Sequence, residues 1–159
     1  MKKITSEEPS IHWPFLNVKN KKVLDLGCGQ FYSSVSTAEW FLNKGADKVI
    51  GVDLSDISLF NDNFTMIGMR INSSDQLKSL IDTYLPDVIK CDIEGAEEYF
   101  NEISLSSSVK QFAVEYHDNN TKLICERAIE DWGFENVETY QLFNEDINRI
   151  GVIHAWKNS

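Results

Sequence analysis

Basic residues are scarce in this chain. Fifteen Lys and Arg stand against 25 Asp and Glu in 159 residues, a formal net charge of −10. Binding to a phosphate backbone irrespective of sequence requires clustered cations, so a nucleic acid is not an expected partner. The one lysine cluster, Lys19, Lys21 and Lys22, precedes the first predicted strand and reads as solvation of its entry. Long apolar runs are missing too. Nothing approaches a membrane span, and the first residues lack the apolar centre of a secretory signal. A membrane partner is therefore not expected, and the cytoplasm is the expected location. Cysteine is sparse: Cys28, Cys91 and Cys125 are odd in number, far apart and without a CxxC pair. That excludes a disulfide framework and fits three reduced, buried thiols. There is no repeat, no low-complexity tract, no linker and no GxxxxGK[ST] phosphate loop.

What remains is ordinary for a folded domain, 42% hydrophobic and 25% charged, and the length suffices for one real core. The expected organisation is an N-terminal arm over 1–20 and a single domain over 21–159. In the arm, Ile11-His12-Trp13-Pro14-Phe15-Leu16 is rich in aromatics, and Pro14 argues against a helix passing through it. The arm is expected to pack on the domain edge or to close over a ligand, with surface packing favoured for His12 and Trp13.

From Lys22 the chain alternates apolar runs with amphipathic ones. Strands are predicted at 22–26, 48–53, 64–71, 87–92, 109–115, 137–143 and 150–156. Helices are predicted at 34–43, 76–84, 94–103 and from Asn119 or Asn120 to Trp132. Ser33 or Ser34 is a candidate N-cap for the first helix, and Gly45 and Gly133 are candidate C-caps. Alternation of this kind predicts an α/β fold: a Rossmann-like, doubly wound sheet of seven strands, mostly parallel. Helices would cover both faces, and a C-terminal antiparallel hairpin would form one edge. Ligands of such sheets sit outside the carboxyl ends of the strands, where strand order reverses. Those ends carry Asp25 and Gly27, Asp53, Ser73 to Asp75, Asp92 and Glu94, and Glu115 to His117.

The first strand runs Val23-Leu24-Asp25-Leu26 into Gly27-Cys28-Gly29, a tight turn that admits a ligand where a Cβ would collide. The third position of the dinucleotide fingerprint holds Tyr32 rather than glycine, which disfavours a nicotinamide cofactor. Asp25 places negative charge near the turn, which suits a cationic ligand better than a diphosphate. Asp53, at the tip of the second strand, is the residue type and place for a grip on ribose hydroxyls. A cationic ribonucleoside without phosphates fits S-adenosylmethionine.

Val23–Gly29 and Val52-Asp53 resemble the first two signatures of class I S-adenosylmethionine-dependent methyltransferases, over nearly the whole chain from about residue 20. A longer match, Ile89-Lys90-Cys91-Asp92-Ile93-Glu94-Gly95-Ala96-Glu97, resembles the signature of FkbM-type methyltransferases, typically O-methyltransferases. The resemblance implies a methyl transfer to a small or carbohydrate-like hydroxyl. It places Gly27 and Gly29 against the methionine moiety, Asp25 on its ammonium directly or through water, and Leu54 beside the adenine. Ser74 and Asp75 would reach the adenine amino group, unless this segment instead caps the next helix. Asp92 would contact both the methionine end and the acceptor.

Glu94 is either an acceptor contact or base, or a favourable first-turn carboxylate. His117 has the titration range for taking a hydroxyl proton, although lone histidines are more often structural. Asp92, Glu94 and Asp118 would suit Mg²⁺, but a cofactor already accounts for carboxylates at strand ends, so no metal is assigned. Competing readings are a cofactor-binding module without turnover, a subunit that needs a partner or a second copy, and a macromolecular acceptor.

Overall fold

Short β-branched runs build one eight-stranded sheet. The computed structural model describes residues 2–29, 35–55, 57, 59 and 61–158. In chain order its elements are β1 (Lys3–Ile4), α1 (Pro9–His12), β2 (Lys22–Leu26), α2 (Thr37–Asn43), β3 (Lys48–Asp53) and β4 (Phe64–Gly68). There follow α3 (Ser74–Tyr84), β5 (Val88–Cys91), a 3-10 helix (Glu97–Glu102), β6 (Gln111–Tyr116), α4 (Asn119–Asp131), β7 (Asn136–Leu142) and β8 (Gly151–Trp156). The strand order is β1-β7-β8-β6-β5-β2-β3-β4.

Two expectations about the sheet are corrected. It has eight strands, and the antiparallel hairpin is not its edge. β8 lies inside the sheet, antiparallel to both β6 and β7, while β1 pairs parallel with β7. The Gln141 N–H donates to the Lys2 carbonyl at 3.0 Å and the Phe143 N–H to the Ile4 carbonyl at 2.7 Å. The start of the arm thus covers backbone groups that β7 would otherwise expose. A two-residue strand carries no alternation to read, which is why the sequence hides it.

The central strands are apolar on both sides because helices cover both. Leu24, Ile50 and Ile89 face a core built with Leu77 and Ile81 of α3, Phe100 of the 3-10 helix and Ile129 of α4. Their neighbours Val23, Val49 and Val88 face the other layer, with Ala38 and Phe41 of α2 and with Trp13 of the arm. Trp13 and His12 are buried, at 2% and 1% exposure, rather than lying on the surface. All three cysteines are free and buried. No helix among the described residues is long and apolar enough to cross a membrane.

Helix ends differ from expectation in instructive ways. The proposed caps Ser33 and Ser34, and Tyr32, lie outside the described residues. α2 begins later, capped by Ser36, whose Oγ accepts from the Glu39 N–H at 3.1 Å. α4 is capped by Asp118 in a reciprocal box with Thr121, and α3 by Ser73. Gly45 and Gly133 do close their helices, at φ +91° and +75°. β4 is three residues shorter than expected, because Met69, Arg70 and Ile71 turn away to line a cleft. The 94–103 segment begins as a turn and becomes only a 3-10 helix, Glu97–Glu102.

From β2 the chain moves outward through β3 to β4, then returns to β5 on the opposite side of β2. Strand order therefore reverses between β2 and β5, and the cleft opens there.

Candidate functional site

The cleft has a volume of about 800 Å³ and lies at the carboxyl ends of β2, β3, β5 and β6. Its floor is set by two glycines. Gly27 has φ +87°, and a Cβ on it would collide with the backbone carbonyl of Asp92. Its N–H donates to the Val52 carbonyl at 2.8 Å. Gly29 donates its N–H to Asp53 Oδ2 at 2.8 Å, and a Cβ there would lie 2.8 Å from that same oxygen. Both glycines are demanded by the protein's own contacts before any ligand enters.

Asp25 does not line the cleft. It is fully buried and in register with Lys90 on the neighbouring strand. Lys90 Nζ lies 3.0 Å from Asp25 Oδ1 and donates to the Gly27 carbonyl at 2.7 Å, and Thr37 Oγ1 donates to Asp25 Oδ2 at 2.6 Å. The indole of Trp13 sits 5.2 Å from the same ammonium. Burial opposes the charge on Lys90, but Asp25 outweighs it and holds its pKa above the ordinary lysine value. Asp25 faces Lys90 and Thr37 rather than the open cleft. Asp25 acts through Lys90 on the carbonyl of the first glycine.

On the β3 side, Asp53 is nearly buried and accepts from the N–H groups of Gly29 and Ser55, each at 2.8 Å. Those donors fix its carboxylate over the cleft, and each oxygen keeps a further lone pair for a hydroxyl. Leu54 follows at the rim, 65% exposed. Ser74 and Asp75 do not reach the cleft, because they form the first turn of α3; Met69 to Asn72 line it instead.

On the β6 side the cleft is polar. Cys91 and Val114 are paired in register, so Asp92 and Glu115, one residue further along each strand, come out side by side. His117 Nε2 lies 2.9 Å from Glu115 Oε2 and 3.7 Å from Asp92 Oδ1; its Nδ1 lies 3.3 Å from Oε1 of the buried Glu97. Behind them, His12 Nε2 is 2.8 Å from Glu115 Oε1, its Nδ1 is 3.4 Å from Glu7, and its ring stacks on Trp13 at 4.6 Å. Glu94 is at the exposed rim, and Asp118 is committed to the α4 cap.

These contacts set the protonation states. Burial disfavours the charge on His117, yet Glu115 and Glu97 outweigh it and push its pKa up to about 10. His12 is likewise raised to about 9, by Glu115 and Glu7 against its burial. Burial alone would raise Glu115, but His117 and His12 hold it well below the usual carboxylate range. Asp92 moves up, first through burial and then through the charge of Glu115. With carboxylates on both ring nitrogens, His117 is favoured in its protonated form. Asp92 is the carboxylate on this side whose proton affinity is raised.

A pH dependence follows. The folded imidazoles titrate above the unfolded value near 6.5, so their contribution is complete below that pH and is lost as pH rises through about 9 to 10. Urea denaturation in chelator-containing buffer is expected to show stability falling between pH 7 and 10. His117→Ala should flatten that fall.

The sequence put Asp53, Asp92, Glu94 and His117 at strand ends, and the structure brings them to one cleft. It did not single out Lys90 or Glu97, and it favoured surface packing for His12. Lys90 carried a signal, since it is the lone charge within β5 and Asp25 is the one charge inside the apolar run that follows Lys22 in β2. His12 and Glu97 carried none, because their neighbours come from distant segments.

No protein-family model matches the sequence, and no curated protein does. Solved structures share the fold at low identity. A protein described as a hemolysin from Lactococcus lactis is 14% identical, with a TM-score of 0.57 over 90% of this chain and 81% of that one. The precorrin-6y C5,15-methyltransferase of Geobacter metallireducens is 16% identical, with a TM-score of 0.51 over 89% and 83%. A SAM-dependent O-methyltransferase from Thermotoga maritima is 14% identical, with a TM-score of 0.57 over 91% of this chain and 62% of that one. The chain has the fold of these methyltransferases.

Proposed function

We propose that this chain is an S-adenosylmethionine-dependent methyltransferase acting on a hydroxyl of a small or carbohydrate-like molecule. The observation that carries the cofactor is Asp53, a nearly buried carboxylate held over the cleft by two backbone N–H groups at the tip of β3. The residues fit the group. The cleft is large enough for a nucleoside, Asp53 has free lone pairs for a ribose diol, and the apolar residues Leu54 and Ile71 also line it. The acceptor class rests on the resemblance of Ile89–Glu97 to the FkbM-type signature.

When bound, S-adenosylmethionine supplies a methyl group on a cationic sulfur, which an acceptor oxygen takes in one displacement with the C–S electron pair returning to sulfur. The protein's part is mostly alignment and exclusion of water. Lys90 and Asp25 fix the Gly27 carbonyl, and Gly27 lets the β2 and β5 ends close on each other. Asp92, on the acceptor side, takes the hydroxyl proton. Glu115 and His117 orient Asp92 and stay ionised, so the proton has one carboxylate to go to.

Hydrogen bonds to a charged group contribute about 1.5–3 kcal/mol each. Asp53→Ala is therefore expected to weaken S-adenosylmethionine binding by roughly ten- to hundred-fold in titration calorimetry, with the fold retained. Unaltered affinity would show that the ribose assignment is wrong.

A further inference from the structure

We propose that Asp92, Glu115 and His117 bind a divalent first-row cation at the acceptor end of the cleft. One carboxylate oxygen of Asp92, one of Glu115 and one ring nitrogen of His117 all lie within 4.8 Å of one another, and the three residues line the cleft. That spacing matches three ligands around one ion at the distances oxygen and imidazole donors adopt, and a mixed carboxylate and imidazole set suits manganese, iron or zinc.

Three further observations separate this trio from a chance cluster of acids. The first is the orientation of His117. Its Nε2 faces Asp92 and Glu115, whereas its Nδ1 is held from behind by Glu97, which is 1% exposed. A carboxylate behind the non-ligating nitrogen is the arrangement that aims a metal-binding imidazole. The second is Glu115, which is turned toward the trio with one oxygen while the other rests against the buried His12. The third is charge. Glu7, Asp92, Glu97 and Glu115 converge on two imidazoles, so even with both imidazoles protonated a negative excess remains. The one buried lysine nearby is already neutralised by Asp25.

All three donors stand on rigid supports. Glu115 is within β6, His117 follows it by two residues, and the Asp92 N–H is tied to the Leu26 carbonyl at 2.9 Å. Uptake of the ion would displace the Nε2 proton of His117, so the ionised His117 described above belongs to the metal-free site; open positions on the ion would face the cleft, where an acceptor hydroxyl would enter. That role in methyl transfer rests on the function proposed above; the binding itself does not.

The test uses chelator-stripped protein and Mn²⁺, with no nucleoside present. Free Mn²⁺ is counted by electron paramagnetic resonance, and the bound ion is examined for ¹⁴N coupling. The expected result is saturable uptake of one ion per chain with a ¹⁴N signature. His117→Ala should abolish that signature, and Asp92→Asn should weaken uptake by about ten-fold or more. Thermal melts of the metal-free variants establish that each is folded, and Asp92→Asn, half-buried and isosteric, serves if His117→Ala does not fold. Absence of saturable uptake by the wild-type chain would overturn the proposal. So would bound Mn²⁺ without ¹⁴N coupling, or uptake unchanged in a folded Asp92→Asn variant. A failure here leaves the nucleoside site untouched, because calorimetry with S-adenosylmethionine reads that separately.

Discussion

Lys90→Met is expected to lower the free energy of unfolding by about 3–5 kcal/mol, the cost of leaving a buried ionic partner uncompensated. Lys90 and Asp25 are 1% and 0% exposed, so solvent does not screen the loss. Asp25 would keep only the Thr37 hydroxyl, and the Gly27 carbonyl would lose its ammonium donor. A buried pair replaced as a unit by apolar groups is often neutral. The double variant Asp25→Leu/Lys90→Met should therefore recover most of the stability in urea denaturation, yet bind the nucleoside less well, because the Gly27 turn is no longer anchored. If the single substitution cost no more than an exposed surface pair, below about 1 kcal/mol, the anchoring role assigned to Lys90 would be wrong.

Gly27→Ala is the second large effect. Two costs add: a side chain at φ +87°, about 1–2 kcal/mol, and a Cβ driven into the Asp92 carbonyl. The collision is with backbone, so relief requires β5 and its following loop to move. Gly95 supplies the comparison, with φ +96° and open space around its missing Cβ. Gly95→Ala should cost only the backbone term and leave binding near wild type. Gly27→Ala should cost more and displace Asp92, so that nucleoside affinity and turnover both fall. Equal stability losses for the two would remove the claim that β2 and β5 close on each other through Gly27.

The sheet's centre was legible because its information is local. β2 and β3 occur at the expected residues, since each is an apolar run bounded by turn residues. Asp53 was legible for the same reason, a carboxylate at a strand tip. The edges were not. β1 is two residues long and owes its existence to backbone bonds with a segment about 140 residues away. Asp118 rather than an asparagine caps α4, a choice between neighbouring side chains with equal capping chemistry. Within the site, Asp25 was placed on a ligand's ammonium, directly or through water, because its position in the strand was visible and its partner was not. Lys90 lies 65 residues on, and only the β2–β5 register brings them together. For His117 the sequence left a base and a structural role open, because it shows the residue's identity but not the two carboxylates on its two nitrogens. Local patterns located the cleft, but tertiary contacts shift the titration of His12, Asp92, Glu115 and His117 within it.

The claim on which all of this turns is that the cleft between β2 and β5 holds a cationic ribonucleoside through Asp53. Titration calorimetry of the wild-type chain against S-adenosylmethionine, its demethylated product and NAD tests it most directly. The account predicts saturable one-to-one binding of both sulfur nucleosides and none of NAD. A folded chain that bound neither sulfur nucleoside, or that took up NAD in their place, would contradict it.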